Sequence, residues 1–169
     1  MVLKDLLEQH KPVILKKWID VLVNSYHADA SQFIKTSKNP FANPVGNTIS
    51  SVLDSVLDVL VYRRNTDTIE SSLDLLLRIR AVQAFSPSKA VSFIFSLKQI
   101  IRDILKKQIH AERMDMDLYD FDSSIDQLGL VAFDIYMKCR EKIYDVKANE
   151  EKNRTFRAFN RAGLLKQVD

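Results

Sequence analysis

The stretch from Arg78 to Leu105 constrains the fold more than any other part of this sequence. Within it, Ser86-Pro87 is a strong helix start, because serine caps free N–H groups of the first turn and proline suits the first helical position. The residues that follow are apolar over most of the circumference of a helix. Such a helix needs neighbours on several sides, so we predict that the rest of the chain packs around it.

Length and composition are those of one globular domain. The chain has 169 residues, of which 46% are hydrophobic and 28% are charged. Its three glycines and four prolines are few, which favours long helices with short connections. Because apolar residues recur at helical spacing along the chain, we predict an all-α fold. The expected architecture is a single helical-bundle domain of about six helices with a long C-terminal helix, and a bundle of this size can be globin-like.

The cysteine count and the apolar runs bear on the compartment. Cys139 is the one cysteine, so an internal disulfide is excluded, and this suits a reducing cytosol. No apolar run approaches the roughly 20 residues of a transmembrane helix. The N-terminus mixes acids into its apolar residues, unlike a signal peptide. We therefore expect a cytoplasmic protein.

The net charge of +3 is small but unevenly distributed. Five bases and one acid after Glu151 give this end a charge of +4, so residues 1–151 carry −1. A charge this small does not indicate nucleic acid, and we expect no nucleic-acid partner. We predict a helical domain at residues 1–147 and a basic helical extension at residues 148–169.

The N-terminal half is predicted to contain four helices and one long loop. The first helix should run from Val2 to about Tyr26, with an irregularity near Pro12, where proline removes a backbone hydrogen bond. Its predicted buried residues are Val13, Leu15, Trp18, Ile19 and Leu22. A short helix at 29–35 precedes the loop KNPFANPVGN at 38–47. Helices at about 47–62 and 68–83 follow.

Arg80 falls within the apolar stripe of the predicted fourth helix. An unpaired buried charge is costly, so we interpret Arg80 as a structural arginine that binds carbonyls or a carboxylate near the 84–87 turn. An anion-binding role is the alternative. The candidate ligand pocket consists of Trp18, Phe41, Arg80 and Phe85. An apolar pocket with one cation would suit an amphipathic acid.

The last helix is predicted to start near Ser123 or Ser124, after an acidic, irregular turn at 110–124. Apolar residues then recur at the 3–4 spacing of a coiled-coil seam. The candidate dimer seam consists of Ile125, Leu128, Ala132, Ile135, Cys139 and Val146. A second stripe consists of Leu130, Phe133, Met137 and Tyr144. Two apolar faces indicate that one packs on the domain body and the other on a second chain, so we predict a homodimer.

The C-terminal extension mixes aromatic and basic residues. The candidate partner tail consists of Arg154, Phe156, Arg157, Phe159 and Arg161. This composition suits an acidic protein partner or a membrane-associated partner, and a frayed basic helix end is the alternative interpretation.

We find no set of residues that indicates catalysis. The glycines are too scattered for a phosphate-binding loop, and no two of His10, His27 and His110 have metal-ligand spacing. The aspartates at 115–122 lack the glycine and glutamate of a calcium loop. Cys139 lies on an apolar stripe without a base, and no histidine sits mid-helix to ligate haem. We expect no enzyme activity, no metal and no cofactor.

Four stretches carry a resemblance to a known family: ILKKWIDVLVNSY (14–26), NPFANPVGN (39–47), RIRAVQAFSPSKAVSFIFSL (78–97) and LVAFDIYMKCREKIY (130–144). In them the sequence resembles the N-terminal domain of RsbT co-antagonist proteins, the RsbRD N-terminal family linked to the bacterial stressosome. The resemblance implies an all-α sensory or protein-interaction domain. In related RsbR proteins this domain is a globin-like dimer without haem, followed by a helical linker and a STAS domain that contacts a kinase.

This chain ends at Asp169 without a STAS domain. We therefore expect a stand-alone, non-enzymatic bacterial signalling or regulatory domain that acts through protein–protein interaction, with a fragment of a longer protein as the alternative. Two other functions stay open. One is a small-molecule sensor that uses the candidate pocket, and the other is a peripheral adaptor of a membrane-associated complex that uses the basic tail.

Overall fold

The computed structural model of the chain describes residues 2–36, 43–62 and 67–163. Within these residues the protein consists of helices joined by short turns, and no strand occurs. This confirms the all-α prediction. The helices are α1 (Leu3–Asn24), α2 (Ala28–Thr36), α3 (Pro44–Tyr62), α4 (Asp67–Val82), α5 (Pro87–Glu112) and α6 (Asp115–Arg161).

Helix α1 continues through Pro12 without interruption in its helical assignment. The proline cannot donate a backbone hydrogen bond, but a single missing bond is tolerated when the apolar face is well packed. That face centres on Ile14, Trp18 and Leu22, each without exposed surface. Val13 is half exposed, so its predicted place in the core is wrong. At 3.6 residues per turn, the positions one turn away from Trp18 are 14 and 22 rather than 13.

Asn43 marks the start of α3 and joins it to α2. Its side-chain oxygen accepts a hydrogen bond from the Gly46 N–H at 2.9 Å, and its side-chain nitrogen donates to the Ile34 carbonyl at 2.7 Å. Pro44 then occupies the first helical position, which suits its fixed φ. The predicted loop at 38–47 therefore ends earlier than expected. Phe41 and the rest of 37–42 lie outside the described residues.

Five of the helices form a closed ring of packed neighbours. α1 contacts α3 and α5, α3 contacts α4, and α6 contacts both α4 and α5, while α2 packs on α1 and α3. α5 lies mainly against α1 and α6 and touches α4 only slightly. The prediction that the rest of the chain surrounds α5 is therefore wrong. Part of its apolar surface stays open, and Phe95 is 40% exposed.

Helices α5 and α6 form an antiparallel pair joined by two residues, Arg113 and Met114. The ion pairs Lys98–Asp126 and Arg102–Asp122 fix their register. Arg113 adopts a left-handed conformation (φ 50°), and the Met114 N–H bonds to the Ile109 carbonyl, which ends α5. The predicted irregular turn at 110–124 is therefore wrong. Aspartates in the first turn of α6 are favourable there because they face the positive end of the helix dipole.

Two features of α3 and α5 differ from their sequence interpretation. Pro87 is the first residue of α5 as predicted, but the Ser86 side chain makes no capping hydrogen bond. Helix α3 is, by length and composition alone, apolar enough to cross a membrane, contrary to expectation. One such helix is weak evidence for a span, because the core helix of a soluble protein has the same composition. Seven side chains of α3 lie in the core of the bundle.

Candidate functional site

Arg80 is fully buried on the inner face of α4, as its position in the apolar stripe predicted. Its guanidinium donates from Nη1 and Nη2 to Ser25 Oγ, both at 3.1 Å, and from Nη2 to the Lys89 carbonyl at 2.9 Å. Arg80 thus ties the end of α1 to the first turn of α5. The predicted binding of a carbonyl close to the 84–87 turn agrees with these contacts.

Aromatic rings, not carboxylates, surround the Arg80 charge. The guanidinium carbon lies 4.1 Å from the ring centre of Phe85, 5.1 Å from Tyr26 and 5.7 Å from Phe93. No acidic side chain among the described residues forms an ion pair with it. Burial lowers the pKa of Arg80, although the nearby tyrosine hydroxyls act in the opposite direction. Arginine nevertheless stays protonated at any physiological pH.

Two buried polar atoms in this region lack a hydrogen bond of good geometry with the described residues. They are Arg80 Nε and the hydroxyl of Tyr26. The Tyr26 side chain is 6% exposed, so water does not readily serve it. Buried polar groups in native proteins are nearly always paired. The region around Arg80 therefore has unused hydrogen-bonding capacity and an uncompensated positive charge.

The turn between α4 and α5 has a defined hydrogen-bonding pattern. The Ala84 N–H bonds to the Ala81 carbonyl, and the Phe85 N–H bonds to the Arg80 carbonyl. Ala84 has φ 57°, the left-handed conformation that glycine adopts most easily. Together these features are a Schellman motif. It carries the Phe85 ring over the Arg80 guanidinium, which explains why phenylalanine stands at this position.

A cleft of about 670 Å³ opens beside this turn, between the end of α1 and the start of α5. The residues that line it include Ser25, Tyr26, His27, Gln83, Phe85 and Lys89. Arg80 lies directly behind the wall, since two of its hydrogen-bond partners, Ser25 and Lys89, are lining residues. Among the residues that the structure describes, one lysine and no acidic residue line the cleft.

Helix α6 is hydrogen-bonded to the same turn. The Tyr136 hydroxyl donates to the Phe85 carbonyl, and Arg140 Nη1 donates to the Ala81 carbonyl at 2.9 Å. Arg140 also donates to the Tyr144 hydroxyl at 2.5 Å, with its guanidinium 4.7 Å from that ring centre. Burial raises the pKa of Tyr136, so its hydroxyl remains a donor at neutral pH.

The predicted pocket residues are not brought together around one cavity. Trp18 is fully buried and donates from Nε1 to the Phe93 carbonyl at 2.7 Å. Its ring lies 6.3 Å from the Phe93 ring, which in turn contacts Arg80, so Phe93 fills the space between them. Phe85 lines the cleft, whereas Trp18 does not. Phe41 lies outside the described residues.

The two faces of α6 are reversed relative to the seam prediction. Ile125, Leu128, Ala132 and Ile135 are buried against the body of the same chain, so they are not available to a second chain. Cys139 is partly buried and Val146 is half exposed. The face that stays open is the second stripe. We call it the outer stripe, and its members are Leu130 (60% exposed), Phe133 (42%), the partly buried Met137, and Tyr144 (56%).

The candidate partner tail is helical and solvent-exposed. α6 continues without a break to Arg161, and every residue from Tyr144 to Gly163 is exposed. Phe156 and Phe159 are 59% and 46% exposed. Arg154, Arg157 and Arg161 line one side of the helix, and Arg154 has an ion pair with Glu151. The proposed division at 147/148 is not marked by any break in the helix.

Sequence reasoning missed three residues of the site: Ser25, Tyr136 and Arg140. Each acts across long sequence distances, and none stands in a pattern that reveals its partner. Asn43 could have been found, since an asparagine directly before a proline is a helix-start signal. Among the described residues, no group of three histidine, cysteine or carboxylate side chains is placed to hold a metal ion.

Comparison with known proteins identifies the family. No curated protein and no solved structure matches the chain. Residues 12–150 match the family model described as "RsbT co-antagonist protein rsbRD N-terminal domain". The match includes Asn43, which joins α2 to α3, and the α4–α5 turn with its hydrogen bonds to α6. It ends within the exposed part of α6. The chain therefore belongs to the family of the RsbT co-antagonist protein rsbRD N-terminal domain, a signalling domain family related to the stressosome.

Proposed function

We propose that this protein is a non-enzymatic regulatory domain whose output is helix α6. In this proposal the protein forms a homodimer through the outer stripe, and its basic end recruits a protein partner. The observation that carries the proposal is the division of α6 into two parts. One part is hydrogen-bonded to the α4–α5 turn, and the other, from Tyr144 onward, is exposed throughout the described residues.

The outer stripe supports the dimer. Leu130, Phe133 and Tyr144 are large apolar or aromatic side chains that follow one another at helical spacing on one face. Phe95 of α5 extends this surface, because its ring packs on Gly129. Contiguous exposed apolar surface on a soluble domain commonly marks an interaction site. Two copies related by a twofold axis could cover it with the same residues from each chain.

The basic end of α6 supports a second, heterologous contact. Lys152–Arg161 contains four bases and no acid, with two exposed phenylalanines. This end is suited to an acidic protein surface with apolar pockets, and a cytoplasmic partner fits the resemblance to stressosome-linked domains. An isolated helical segment of this length is marginally stable in water, so a partner would also order it.

The dimer is tested by sedimentation equilibrium at micromolar concentration. We expect the full chain to sediment as a dimer and Phe133→Asp as a monomer, because a charge at the centre of the outer stripe cannot be buried cheaply. Val13→Asp is the matched control, since Val13 on α1 has a similar exposure (50%, against 42% for Phe133). A monomeric full chain would rule out the dimer.

The partner contact is tested by affinity capture from native cytoplasm. We compare the full chain, a version that ends at Asn149, and a variant with Arg154, Arg157 and Arg161 changed to glutamine. The control changes three exposed lysines elsewhere, Lys16, Lys17 and Lys107, to glutamine. A partner retained by the control and the full chain alone would support the proposal. Equal capture by all four would place the contact on the helical body. If the full chain captures no protein but binds anionic vesicles, a membrane-surface role is favoured.

A further inference from the structure

The cleft beside the α4–α5 turn has the properties of a ligand site. We propose that it binds a small organic anion, a carboxylate with an aromatic or apolar body, and that this ligand shifts the position of α6. The second half of this inference depends on the proposed output role of α6, whereas the binding itself does not.

Positive charge is concentrated at the cleft. Lys89 lines it and forms no ion pair with the described residues, and Arg80 lies behind the wall that Ser25 and Lys89 build. A buried cation without a carboxylate has lost its water and gained no counter-charge, which is unfavourable. An anion in the cleft would supply that counter-charge at short range, in surroundings where screening by solvent is weak.

Hydrogen-bond donors and apolar surface accompany the charge. The buried Tyr26 hydroxyl lies near Arg80 but makes no hydrogen bond of good geometry, and Tyr26 lines the cleft, so a small side-chain movement would offer the hydroxyl to a ligand. The Ser86 side chain, which precedes α5, makes no capping hydrogen bond, and both Ser86 and Lys89 of the first turn line the cleft. The Phe85 ring, which packs on Arg80 at 4.1 Å, supplies apolar surface for the body of the ligand.

The size of the cleft is also suitable. Its volume of about 670 Å³ falls in the range of pockets that hold small molecules. An inorganic anion would occupy a small part of this space and leave the apolar wall uncovered. The chemistry therefore favours an amphipathic acid over phosphate or sulfate.

The walls of the cleft connect directly to α6. Phe85 contributes a ring to the cleft and its carbonyl to Tyr136, while the neighbouring Ala81 carbonyl accepts from Arg140. A ligand that moves Phe85 must lengthen or redirect these hydrogen bonds. Because Arg140 also donates to the Tyr144 hydroxyl, the change reaches the residue where the exposed part of α6 begins. Binding and α6 position are then linked by one coupling free energy, which acts in both directions.

The first experiment titrates benzoate, as the probe, into the full chain and follows backbone amide NMR shifts. We expect saturable shifts at Tyr26, Phe85 and Lys89 with a dissociation constant on the order of 1 mM. Benzamide, which has the same shape without charge, should bind at least about tenfold more weakly. Lys89→Met should weaken benzoate binding by a similar factor, and Lys107→Met, an exposed lysine of the same helix, should not.

A second variant separates binding from coupling. Tyr136→Phe removes the bond to the Phe85 carbonyl, so benzoate should still bind while its shifts at Arg140 and Tyr144 shrink. Failure of benzoate to saturate, or equal binding of benzamide and benzoate, overturns the anion site. Binding with unchanged α6 amides in the native chain overturns the coupling. Neither result bears on dimerisation or partner capture, which the tests of the proposed function address separately.

Discussion

Ala84 occupies a backbone conformation that alanine adopts at a cost. Its φ of 57° places it in the left-handed region, where the Cβ approaches the following carbonyl oxygen. The Schellman motif at the end of α4 requires this conformation, because it directs the Ala84 and Phe85 N–H groups back to the helix. The strain is stored next to the candidate cleft, between Arg80 and the first turn of α5.

Ala84→Gly should therefore stabilise the protein. Removal of the Cβ relieves about 1 kcal/mol of strain, partly offset by the greater freedom of glycine in the unfolded chain. We expect a higher midpoint in urea unfolding with an unchanged slope. Ala111→Gly is the control, because Ala111 is an exposed helical residue of α5 and its replacement should destabilise. A lower midpoint for Ala84→Gly would contradict the interpretation of strain.

Cys139 should be a slow nucleophile. Burial raises the pKa of its thiol, and the carboxylate of Asp74, whose Oδ1 lies 3.9 Å from the sulfur, raises it further. A thiol with a raised pKa forms less thiolate, so alkylation by iodoacetamide at pH 8 should be slower than that of glutathione and should accelerate as the pH rises. Asp74→Asn should increase the rate. A rate equal to that of glutathione would show that the thiol is freely exposed.

At the scale of residues, the sequence predicted which side chains are buried better than it predicted their hydrogen-bond partners. The stripe on α4 placed Arg80 in the core, because helical periodicity alone determines which residues share a face. Ser25 and the Lys89 carbonyl are its partners through the tertiary fold, which periodicity does not describe. The same limit explains the candidate pocket, where Phe93 lies between Trp18 and Arg80.

At the scale of elements, Gly46 and Asn43 explain the NPVG segment. Asn43 is 5% exposed and fixed by bonds to both α2 and α3, and a Cβ on Gly46 would lie only 2.5 Å from its side-chain nitrogen. Glycine is required here for space rather than for backbone freedom. The cap and the close approach depend on each other, so one substitution should disturb both helices.

Gly46→Ala should destabilise the protein by about 1–3 kcal/mol, since the added methyl group displaces Asn43 and disrupts its hydrogen bonds to Ile34 and Gly46. Thermal unfolding followed by circular dichroism measures the change. Ser55→Ala, at an exposed position of the same helix, is the control and should be neutral or slightly stabilising. If the two variants have the same midpoint, the Asn43 junction does not contribute to stability.

Lys11 joins α1 to α3 through Asp54 (2.8 Å) and Asp58 (2.6 Å). Partial burial would lower the pKa of Lys11, but hydrogen bonds to the two carboxylates outweigh it, so the folded pKa is raised above 10.5. The stability it contributes is then fully present below pH 10.5 and is lost above the folded pKa. Lys11→Met should cost up to about 1 kcal/mol at pH 8 and less at pH 11 in urea unfolding. A cost that does not change with pH would exclude this linkage.

The helices themselves were largely predictable, but their ends were not. Apolar spacing predicted helices α3 and α4, and their inner faces are apolar, with Ile49 and Leu53 buried in one and Leu73 and Leu77 in the other. The start of α6 was missed because its aspartates were interpreted as a solvated turn. Leu118 and Phe121 lie on the core side of that segment and carry the helical period through it. The reversal of the faces of α6 arises because both faces are apolar, and only the tertiary fold decides which one packs on α4 and α5.

At the scale of the whole molecule, α6 is both a wall of the bundle and a projection from it. Residues from Tyr144 to Arg161 extend about 27 Å along the helix axis without burying a side chain. Such a segment adds little to the stability of a monomer, because it makes no apolar contacts with the core. Its side chains are therefore available for contacts with other molecules, and dimerisation would change how much the segment contributes to stability.

This leads to a prediction for the concentration dependence of thermal stability. If two chains pair through the outer stripe, association favours the folded state, and the melting temperature of the full chain should rise with protein concentration. Phe133→Asp should remove this dependence. A version that ends at Asn149 should keep it, because the outer stripe from Leu130 to Tyr144 is intact, and at low concentration it should melt at the same temperature as the full chain. A lower melting temperature of the shortened chain under those conditions would mean that residues after Asn149 pack on the body, and the projection described here would then be wrong.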